Sequence, residues 1–412
     1  MEKAIKALTL DIEKDGWAGS KGFVKREVPM PVLDEKTNAE DALSVILKIR
    51  YAGVCGTDRG LWNRAVFKDY VHDSLAREKK TTRIMGHEFV GEIIEMGSMV
   101  PRLYNDPDAK NPVKIEVGSL VSGDSHVTCG RCYQCRIGEQ HVCMNEGILG
   151  ISMDGIFAEY VKIPAKNLWA VDETRIRPEI AAILDPFGNA VHSTTKVDFR
   201  GQRVAVFGCG PIGMFSILLL RSFGAVKIIA IDTNPANLQM AKDLGAHETI
   251  QIDPPERQGS SGRAGKKTKQ NDWEHDPEVI DRIMELTYGK GVDVSMEMAG
   301  PASSVNNCIE ATRRGGHVIL FGLKDGDITI PKFSRSIIRG LTFHGIIGRN
   351  IFQTWQISQR MLSDKSNGIQ EKIWNVILKG GKGTIIDMKD FTPESFEKSM
   401  NEHPKVIFKI GG

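Results

Sequence analysis

The sequence predicts an α/β protein with two domains, one built on a doubly wound parallel sheet and one rich in short β-strands. Its 412 residues exceed the roughly 250–300 at which a single hydrophobic core stops growing. Residues 1–187 contain short β-branched runs separated by Gly and Pro, a pattern typical of short strands. From about Gly201 onwards, near-continuous apolar strands alternate with amphipathic helices, which indicates a parallel sheet covered on both faces.

The strands and helices of the second half can be placed one by one. Strands are predicted at RVAVFG, VKIIAID, GVDVSMEMAG, GHVILFGL and LTFHGIIG, with a helix at PIGMFSILLLRSFGA. The helix PANLQMAKDLGA should be capped by Asn234 and have Pro235 at its first position. Two helical patterns and the strand KVIFKI follow Arg349. We therefore predict domains at 1–187 and 188–347, with a C-terminal segment, 348–412, that rejoins the first domain.

Three stretches are predicted to be surface insertions: 63–83, 101–116 and 252–278. The third carries a group of basic side chains, Arg257, Arg263, Lys266, Lys267 and Lys269. Such a group could bind an anionic partner. We prefer the interpretation of a solvated loop, because polar segments of this composition bury too little apolar surface to pack.

Composition and charge favour small-molecule chemistry. Hydrophobic residues make up 41% and charged residues 26% of the chain, as in an ordinary globular protein. The formal net charge of +2 provides no electrostatic footprint for nucleic acid or for an anionic membrane, so neither is expected as a partner. The start of the chain has charges where a signal peptide would be apolar, and the longest apolar run, 214–220, is far shorter than the roughly 20 residues of a membrane span. A cytoplasmic location is therefore predicted.

A glycine motif predicts a dinucleotide site. Gly208, Gly210 and Gly213 form G-x-G-x-x-G directly after a predicted strand and at the start of a predicted helix. The first glycine permits a tight turn, the second lets the backbone approach a pyrophosphate, and the third allows close packing of helix on strand, as in a Rossmann domain. The helix N-terminus then offers free N–H groups to the anion. The candidate cofactor-binding residues are Gly208, Gly210, Pro211, Ile212, Gly213 and Asp232.

Asp232 suggests which dinucleotide is bound. It ends the next strand, about 20 residues after the glycines, where a carboxylate accepts hydrogen bonds from the adenosine ribose and repels a 2′-phosphate. NAD is therefore favoured over NADP. A glycine turn that binds no dinucleotide and a flavin site are the alternatives, and the flavin is disfavoured by the position of the motif far from the N-terminus.

Four of the seven cysteines lie in one short polar segment. Cys129, Cys132, Cys135 and Cys143 have the spacing C-x2-C-x2-C-x7-C, which lets one lobe surround a tetrahedral zinc ion. Four thiolates leave no open coordination position, so such a site would be structural. Disulfides and an iron–sulfur cluster are the alternatives, and a reducing compartment disfavours the disulfides.

Other potential ligands are spread along the chain. GVCGTD contains Cys55 and Thr57, MGHEFVGE contains His87 and Glu88, and DPFGNAVH contains Asp185. None is persuasive alone, because a lone buried Cys is usually a small hydrophobe.

Taken in order, these motifs resemble the zinc-dependent medium-chain alcohol dehydrogenases over nearly the whole chain outside the insertions. Within that family, SGDSHVTCGRC, DPFGNAVH and GRNIFQTW are most similar to the members that act on L-threonine. The resemblance implies a β-rich, GroES-like catalytic domain beside the Rossmann domain. It also implies two zinc ions per chain, NAD as cofactor, and a homo-oligomer, commonly a tetramer.

The resemblance also implies roles for individual residues. A catalytic zinc would be held by Cys55 and His87, with Glu88 beside it and Asp185 as a further ligand. The reaction would be hydride transfer from a secondary alcohol to the nicotinamide, and L-threonine is the expected substrate, with 2-amino-3-oxobutanoate as the product. Thr57 would pass the alcohol proton outward. His126 would help to position the substrate. An equal alternative is that His126 is a loop histidine that only forms a hydrogen bond near the cysteine lobe.

One position departs from the threonine enzymes. Five residues after Cys55, where they carry a histidine of the proton relay, this chain has Gly60. Water or another side chain could complete the relay, or the substrate could differ. CGTDR also occurs in sugar dehydrogenases of the family, so a polyol, sugar or cyclitol is the alternative substrate. A non-catalytic nucleotide-binding relative is a third hypothesis, disfavoured because the zinc ligands are present.

Overall fold

A computed structural model describes residues 4–105, 115–253, 271, 273–323 and 326–411. The chain divides into two compact units, Met1–Gly188 with Arg349–Gly412, and Asn189–Gly348. Parts of two predicted insertions, 106–114 and 254–270, lie outside the described residues, and with them the basic group beginning at Arg257. Within the described ranges, no helix has both the length and the apolar content needed to cross a bilayer.

The N-terminal part of the first unit consists mainly of short strands. They are β1 (Ala4–Asp11), β2 (Val24–Pro29), β3 (Ser44–Val54), β4 (Thr82–Ile84), β5 (Glu88–Met96), β6 (Leu120–Gly123), β7 (His126–Val127), β8 (Gly147–Ile148), β9 (Tyr160–Pro164) and β10 (Leu168–Ala170). The helices are α1 (Gly56–Trp62), α2 (Lys68–Glu78), α3 (Val100–Tyr104), α4 (Tyr133–Arg136), α5 (Pro178–Ala181) and α6 (Leu184–Thr194), and the boundary between the units falls within α6.

The second unit alternates strands and helices. Its strands are β11 (Arg203–Phe207), β12 (Lys227–Asp232), β13 (Glu248–Gln251), β14 (Val292–Glu297), β15 (Thr312–Leu320) and β16 (Thr342–Gly345). Its helices are α7 (Pro211–Ser222), α8 (Pro235–Leu244), α9 (Pro277–Leu286), α10 (Ala302–Ala311) and α11 (Ser334–Ile338). All five strand pairings are parallel, in the order β13-β12-β11-β14-β15-β16. This is the strand order of a doubly wound nucleotide-binding sheet.

The predicted fold class is confirmed, and the sequence pattern explains why the second unit folds this way. All six residues of β14 are buried, as expected of a strand that is covered on both faces. Helix α7 buries eight of its twelve residues. The Asn234 side chain accepts a hydrogen bond from the Ala236 amide, and Pro235 occupies the first turn of α8, so the predicted cap is confirmed.

The C-terminal segment completes the sheets of the first unit. Its elements are α12 (Gln353–Ser363), α13 (Ile369–Lys372), β17 (Ile385–Asp387), α14 (Pro393–Glu402) and β18 (Val406–Lys409). β18 pairs with β3 on one side and with β17 on the other, within the sheet β10-β6-β5-β3-β18-β17, and β9 also pairs with β3. Phe396 and Phe408 pack with Trp62 and Phe157 in the core of this unit.

The stretch 63–83 differs from the predicted surface insertion, because it contains the packed helix α2. Val71 and Leu75, four residues apart on one face of α2, are fully buried in the core of the first unit. Arg83 is also fully buried and binds Glu78 through Nη2 at 2.8 Å. The many charged residues of this stretch obscured its short apolar face in the sequence.

Candidate functional site

The glycine motif forms a tight turn between β11 and α7. Gly208 has a φ of +100°, and a Cβ there would lie 3.0 Å from the Ala299 nitrogen. A Cβ on Gly213 would lie 2.0 Å from the Gly208 carbonyl oxygen, so only glycine allows the helix to approach the strand this closely. In contrast, a Cβ on Gly210 would meet no atom within 4 Å. The packing of the protein does not require a glycine at position 210, and the open space beside it suits a pyrophosphate on the N-terminus of α7.

Asp232 lies at the end of β12 and is bonded to this turn. Its Oδ2 accepts a hydrogen bond from the Cys209 amide at 2.6 Å, and its Oδ1 accepts one from the Asn234 amide at 2.7 Å. The carboxylate is therefore held in place next to the glycine turn. Of the other predicted cofactor residues, Pro211 and Ile212 form the first turn of α7, whose leading N–H groups have no partner within the helix.

The four clustered cysteines converge on one point. The sulfur atoms of Cys129, Cys132, Cys135 and Cys143 all lie within 4.8 Å of one another. The described residues include all seven cysteines of the chain, and none of them forms a disulfide. The Cys132 amide donates to Cys129 Sγ and the Asn145 amide to Cys143 Sγ, at 3.3 and 3.4 Å. Such N–H donors stabilise thiolates, so the lobe has the donor set of a closed tetrahedral zinc site.

The electrostatics of the lobe also favour a cation. The backbone amides of Arg131 and Cys132 lower the pKa of Cys129 to about 6. Burial, together with the neighbouring thiols of Cys132 and Cys143, raises the pKa of Cys135 to about 12. Four thiolates this close together repel one another unless a positive ion lies between them.

A second set of donors comes from two paired strands. Cys55 follows the end of β3, and Glu88 begins β5 with His87 directly before it. The register of these antiparallel strands places Gly53 opposite Glu88, which brings Cys55 close to His87. Donor atoms of Cys55, His87 and Glu88 all lie within 4.8 Å of one another. A Cβ on Gly53 would lie 2.1 Å from Glu88 Oε2, so glycine is needed there to make room for the carboxylate.

The charge around His87 is strongly negative. Burial lowers the pKa of His87, but the Asp58 carboxylate and the Cys55 thiol outweigh burial and raise this pKa from 6.5 to about 10. His87 Nδ1 lies 3.6 Å from Asp58 Oδ1, and both atoms are buried without a hydrogen bond. The negative charge that raises this pKa would also favour the binding of a divalent cation.

Only one of the two carboxylate oxygens of Glu88 has a hydrogen-bond partner. Its Oε2 accepts a hydrogen bond from the Lys405 ammonium, which also donates to the Val54 carbonyl at 2.9 Å. Burial raises the pKa of Glu88, while Lys405 opposes that effect. Glu88 Oε1 is buried and has no hydrogen-bond partner. This unpartnered oxygen, together with Cys55 and His87, fits a metal ion as a third ligand.

Among the described residues, the donors that lie within 4.8 Å of one another at this site do not include Asp185, in contrast to the expectation that it is a further zinc ligand. Both of its oxygens are already engaged: Oδ1 accepts from Arg349 Nη1 at 2.8 Å, and Oδ2 accepts from the Ser125 amide at 3.3 Å. The same guanidinium binds both oxygens of Asp124, at 2.6 and 3.0 Å. Asp124, Asp185 and Arg349 are all buried, and the two carboxylates outweigh burial and raise the pKa of Arg349.

The remaining predicted residues have the following positions. Thr57 is in the first turn of α1, two residues after Cys55, and is partly exposed. His126 Nδ1 lies 2.8 Å from Glu146 Oε2, and the His126 amide donates to Asp124, so His126 is linked through Asp124 to Arg349. A Cβ on Gly60 would lie 2.5 Å from Val66 Cγ2. The packing of Val66 therefore leaves no room for a side chain at position 60.

Four residues of the site were not identified from the sequence: Asp58, Asp124, Arg349 and Lys405. Each lies inside a string that also carries another motif or a predicted strand, such as CGTD or KVIFKI. Their importance comes from ion pairs across long sequence separations, 225 residues for Arg349 with Asp124 and 317 for Lys405 with Glu88. The available signal was a charged residue inside a segment predicted to be buried, since buried charges are almost always paired.

Comparison with known proteins is consistent with this geometry. Residues 41–173 match the family described as "Alcohol dehydrogenase GroES-like domain" and residues 211–364 match "Zinc-binding dehydrogenase". The fold is shared with alcohol dehydrogenase TADH from Thermus sp. ATN1, with a TM-score of 0.74 and 22% identity over 98% of this chain and 100% of that chain.

Relatives of known activity are closer in sequence. The chain is 34% identical to an L-threonine 3-dehydrogenase from Bacillus subtilis (strain 168), over 84% of this chain and 86% of the relative. It is 33% identical to an L-threonine 3-dehydrogenase from Pyrococcus horikoshii, over 77% of this chain and 79% of the relative. The chain belongs to the zinc-dependent medium-chain alcohol dehydrogenases and is an oxidoreductase that uses zinc and a nicotinamide cofactor.

Proposed function

We propose that this protein is an NAD-dependent L-threonine 3-dehydrogenase, which oxidises the threonine hydroxyl to give 2-amino-3-oxobutanoate. The observation that carries the proposal is the convergence of Cys55, His87 and Glu88 in a chain about one-third identical to L-threonine 3-dehydrogenases. Asp232 beside the glycine turn supports NAD rather than NADP, because a carboxylate there repels a 2′-phosphate.

Cys55, His87 and Glu88 would hold the catalytic zinc. When bound, the zinc lowers the pKa of a hydroxyl group, and the nicotinamide accepts the hydride. Asp58 faces His87 Nδ1, so it orients the imidazole and favours the tautomer whose other nitrogen binds metal. Lys405 holds Glu88 Oε2 and leaves Oε1 available. Thr57, partly exposed beside Cys55, can pass the alcohol proton to water, which takes the place of the side chain that Gly60 lacks.

A second zinc, held by the four clustered cysteines, would be structural. We expect elemental analysis of the purified protein to give two zinc ions per chain. Cys55→Ala should reduce the content to one and lower turnover at least about 1,000-fold, while its melting temperature stays close to that of the wild type. Cys132→Ser should instead lower the melting temperature, because it opens a closed site. Full activity of Cys55→Ala would contradict the assigned role.

The substrate is tested by a turnover screen with threonine, sorbitol and glucose against NAD. NADH formation with threonine and not with the polyol or the sugar is the expected result. A polyol or sugar is the alternative because of Gly60 and the CGTDR string. Turnover of sorbitol without threonine would refute the substrate and keep the enzyme class.

We further propose a cytoplasmic homo-oligomer, with a tetramer implied by the family. None of the seven cysteines forms a disulfide, which suits a reducing compartment. Sedimentation velocity of the zinc-loaded protein would give the number of chains, and a species of one chain at micromolar concentration would contradict self-association.

A further inference from the structure

A group of basic side chains surrounds a cavity of about 360 Å³ in the second unit. Most of the charged residues that line it lie just before or at the start of a parallel strand. Lys290 precedes β14, Arg313 and Arg314 begin β15, and Arg339 precedes β16. The Gly208 turn follows the opposite, carboxyl end of β11 in the same sheet. The cavity therefore lies at the amino ends of the strands, whereas the dinucleotide turn lies at their carboxyl ends.

Carboxylates neutralise only part of this charge. Asp293 pairs with both Arg203 and Arg313, at 3.1 and 2.5 Å. Glu310 pairs with both Arg335 and Arg339, at 3.4 and 3.5 Å. In the part of the chain that the structure describes, no carboxylate forms an ion pair with Lys290 or Arg314. Five cations line the cavity and Arg203 lies next to it, while Asp293 and Glu310 are the carboxylates that pair with four of these six. The local excess is therefore four positive charges, in a chain whose formal net charge is only +2.

Arg339 is held close to other cations of the cavity, whereas Lys290, Arg314 and Arg335 are exposed. The side chain of Arg339 is only 14% exposed, and burial lowers its pKa, as do the nearby charges of Arg335 and Arg314. The Arg339 guanidinium also donates to the Thr312 carbonyl, which fixes it in the wall of the cavity. Fixed like charges repel most strongly where water is partly excluded, and a bound anion removes that repulsion.

We propose that this cavity binds a small molecule with two phosphate groups, at a site separate from the dinucleotide turn. Guanidinium groups bind phosphate oxygens in pairs, and the cavity volume is that of a small-ligand site. A phosphate ester carries about −1.5 to −2 charges, so two such groups match the excess of four. A single phosphate would neutralise only half of it. A small anion is the ligand of choice because these basic residues line a single cavity of about 360 Å³.

Isothermal titration with inorganic pyrophosphate tests this proposal. The full chain with both zinc sites loaded is kept in excess NADH, so that the dinucleotide turn is filled, and ionic strength is held constant. Saturable binding is expected in the wild type. The double variant Lys290→Gln/Arg314→Gln should bind at least about 10-fold more weakly, since it removes two charges that have no carboxylate partner.

The matched control is Lys242→Gln, which removes an exposed charge from α8 in the same unit and should bind pyrophosphate like the wild type. Equal affinity of the double variant and the wild type would overturn the proposal. Binding of pyrophosphate to zinc would give that result, because all three proteins have the same metal sites. An equal signal from sulfate would also overturn it, since general charge attraction would then explain the binding.

Discussion

Lys405 and Glu88 form an ion pair inside the first unit, with side-chain exposures of 1% and 0%. Lys405 directly precedes the strand β18, whereas Glu88 belongs to the set of three metal donors. The pair balances one negative charge of a site that also contains Asp58 and Cys55. Loss of either member leaves the other charged and buried, which is far more costly than the net value of the intact pair.

We therefore expect Lys405→Met to destabilise the protein by about 3–5 kcal/mol. The Val54 carbonyl would also lose its donor. Lys409→Met, at the exposed last position of β18, is the control and should change stability by less than about 0.5 kcal/mol. Urea unfolding of both variants measures the effect. Equal unfolding midpoints for the two variants would show that the ion pair is not needed.

Asp185→Asn tests whether Asp185 is a metal ligand. Because Arg349 and the Ser125 amide already engage its two oxygens, we expect the variant to retain the zinc content of the wild type. Its stability should fall, by about 1–3 kcal/mol, because Arg349 loses one of two buried carboxylate partners. Zinc analysis and thermal unfolding give the two results. Loss of one zinc per chain would instead support the ligand role that the family resemblance implies.

Gly60→His restores a relay histidine in sequence but should not be accommodated. Its Cβ would collide with Val66 Cγ2 at 2.5 Å, so we expect a loss of about 1–3 kcal/mol. Val66→Ala removes the colliding methyl group. The loss of stability in the double variant Gly60→His/Val66→Ala should therefore be smaller than the sum of the two single losses, by at least about 0.5 kcal/mol. Strict additivity in a double-mutant cycle would mean that Val66 is not the obstacle.

Asp232→Ser should reduce the preference for NAD over NADP. The substitution removes the charge that repels a 2′-phosphate, and it removes the acceptor of the Cys209 and Asn234 amides. We expect kcat/KM for NAD to fall at least about 10-fold while that for NADP rises or stays constant. Asp243→Ser, at an exposed position on α8, is the control. An unchanged ratio of the two kcat/KM values would rule out a ribose role for Asp232.

Acidic pH should weaken the second unit through His344. Burial and the neighbouring His317 and Lys196 hold the pKa of His344 below 6.5. The unfolded chain then binds a proton more readily than the folded one, so stability is full above pH 6.5 and is lost as the pH falls below it. His317 Nδ1 lies 3.2 Å from His344 Nε2, and two imidazolium groups there would repel each other.

The measurement compares thermal unfolding of the wild type and His344→Gln at about pH 7.5 and about pH 5.5, on either side of the usual histidine pKa. The wild type should lose more stability than the variant over this range. Other groups that titrate, including His87, are common to both proteins and cancel in the comparison. Parallel pH dependences would show that His344 does not contribute.

The parts of the site that could be predicted from the sequence are local. The glycine turn and the cysteine lobe each occupy fewer than about twenty consecutive residues, so spacing alone restricts their geometry. The fold class was predicted for a similar reason, since the periods of buried strands and helices are visible in short windows. Asn234 as a helix cap belongs with these, because a cap depends only on its neighbours in sequence.

The ion pairs could not be predicted, because they depend on which distant segments meet. Nothing near Arg349 in the sequence indicates that it binds Asp124 and Asp185, and that contact decides whether Asp185 is free to bind metal. Helix α2 shows the same limit. Val71 and Leu75 become core residues only once the tertiary structure covers them, and the charges around them suggested a surface loop.

The position of β18 has a consequence for how the protein is made. Its partners β3 and β17 are more than 300 residues apart in the sequence, so the sheet stays incomplete until residues 406–409 leave the ribosome. The nucleotide-binding unit is continuous in sequence and can fold while synthesis proceeds, because domains generally fold as units during translation. Nascent chains halted before Val406 would therefore contain a finished second unit joined to a first unit with an open sheet edge, the form most exposed to proteases and chaperones.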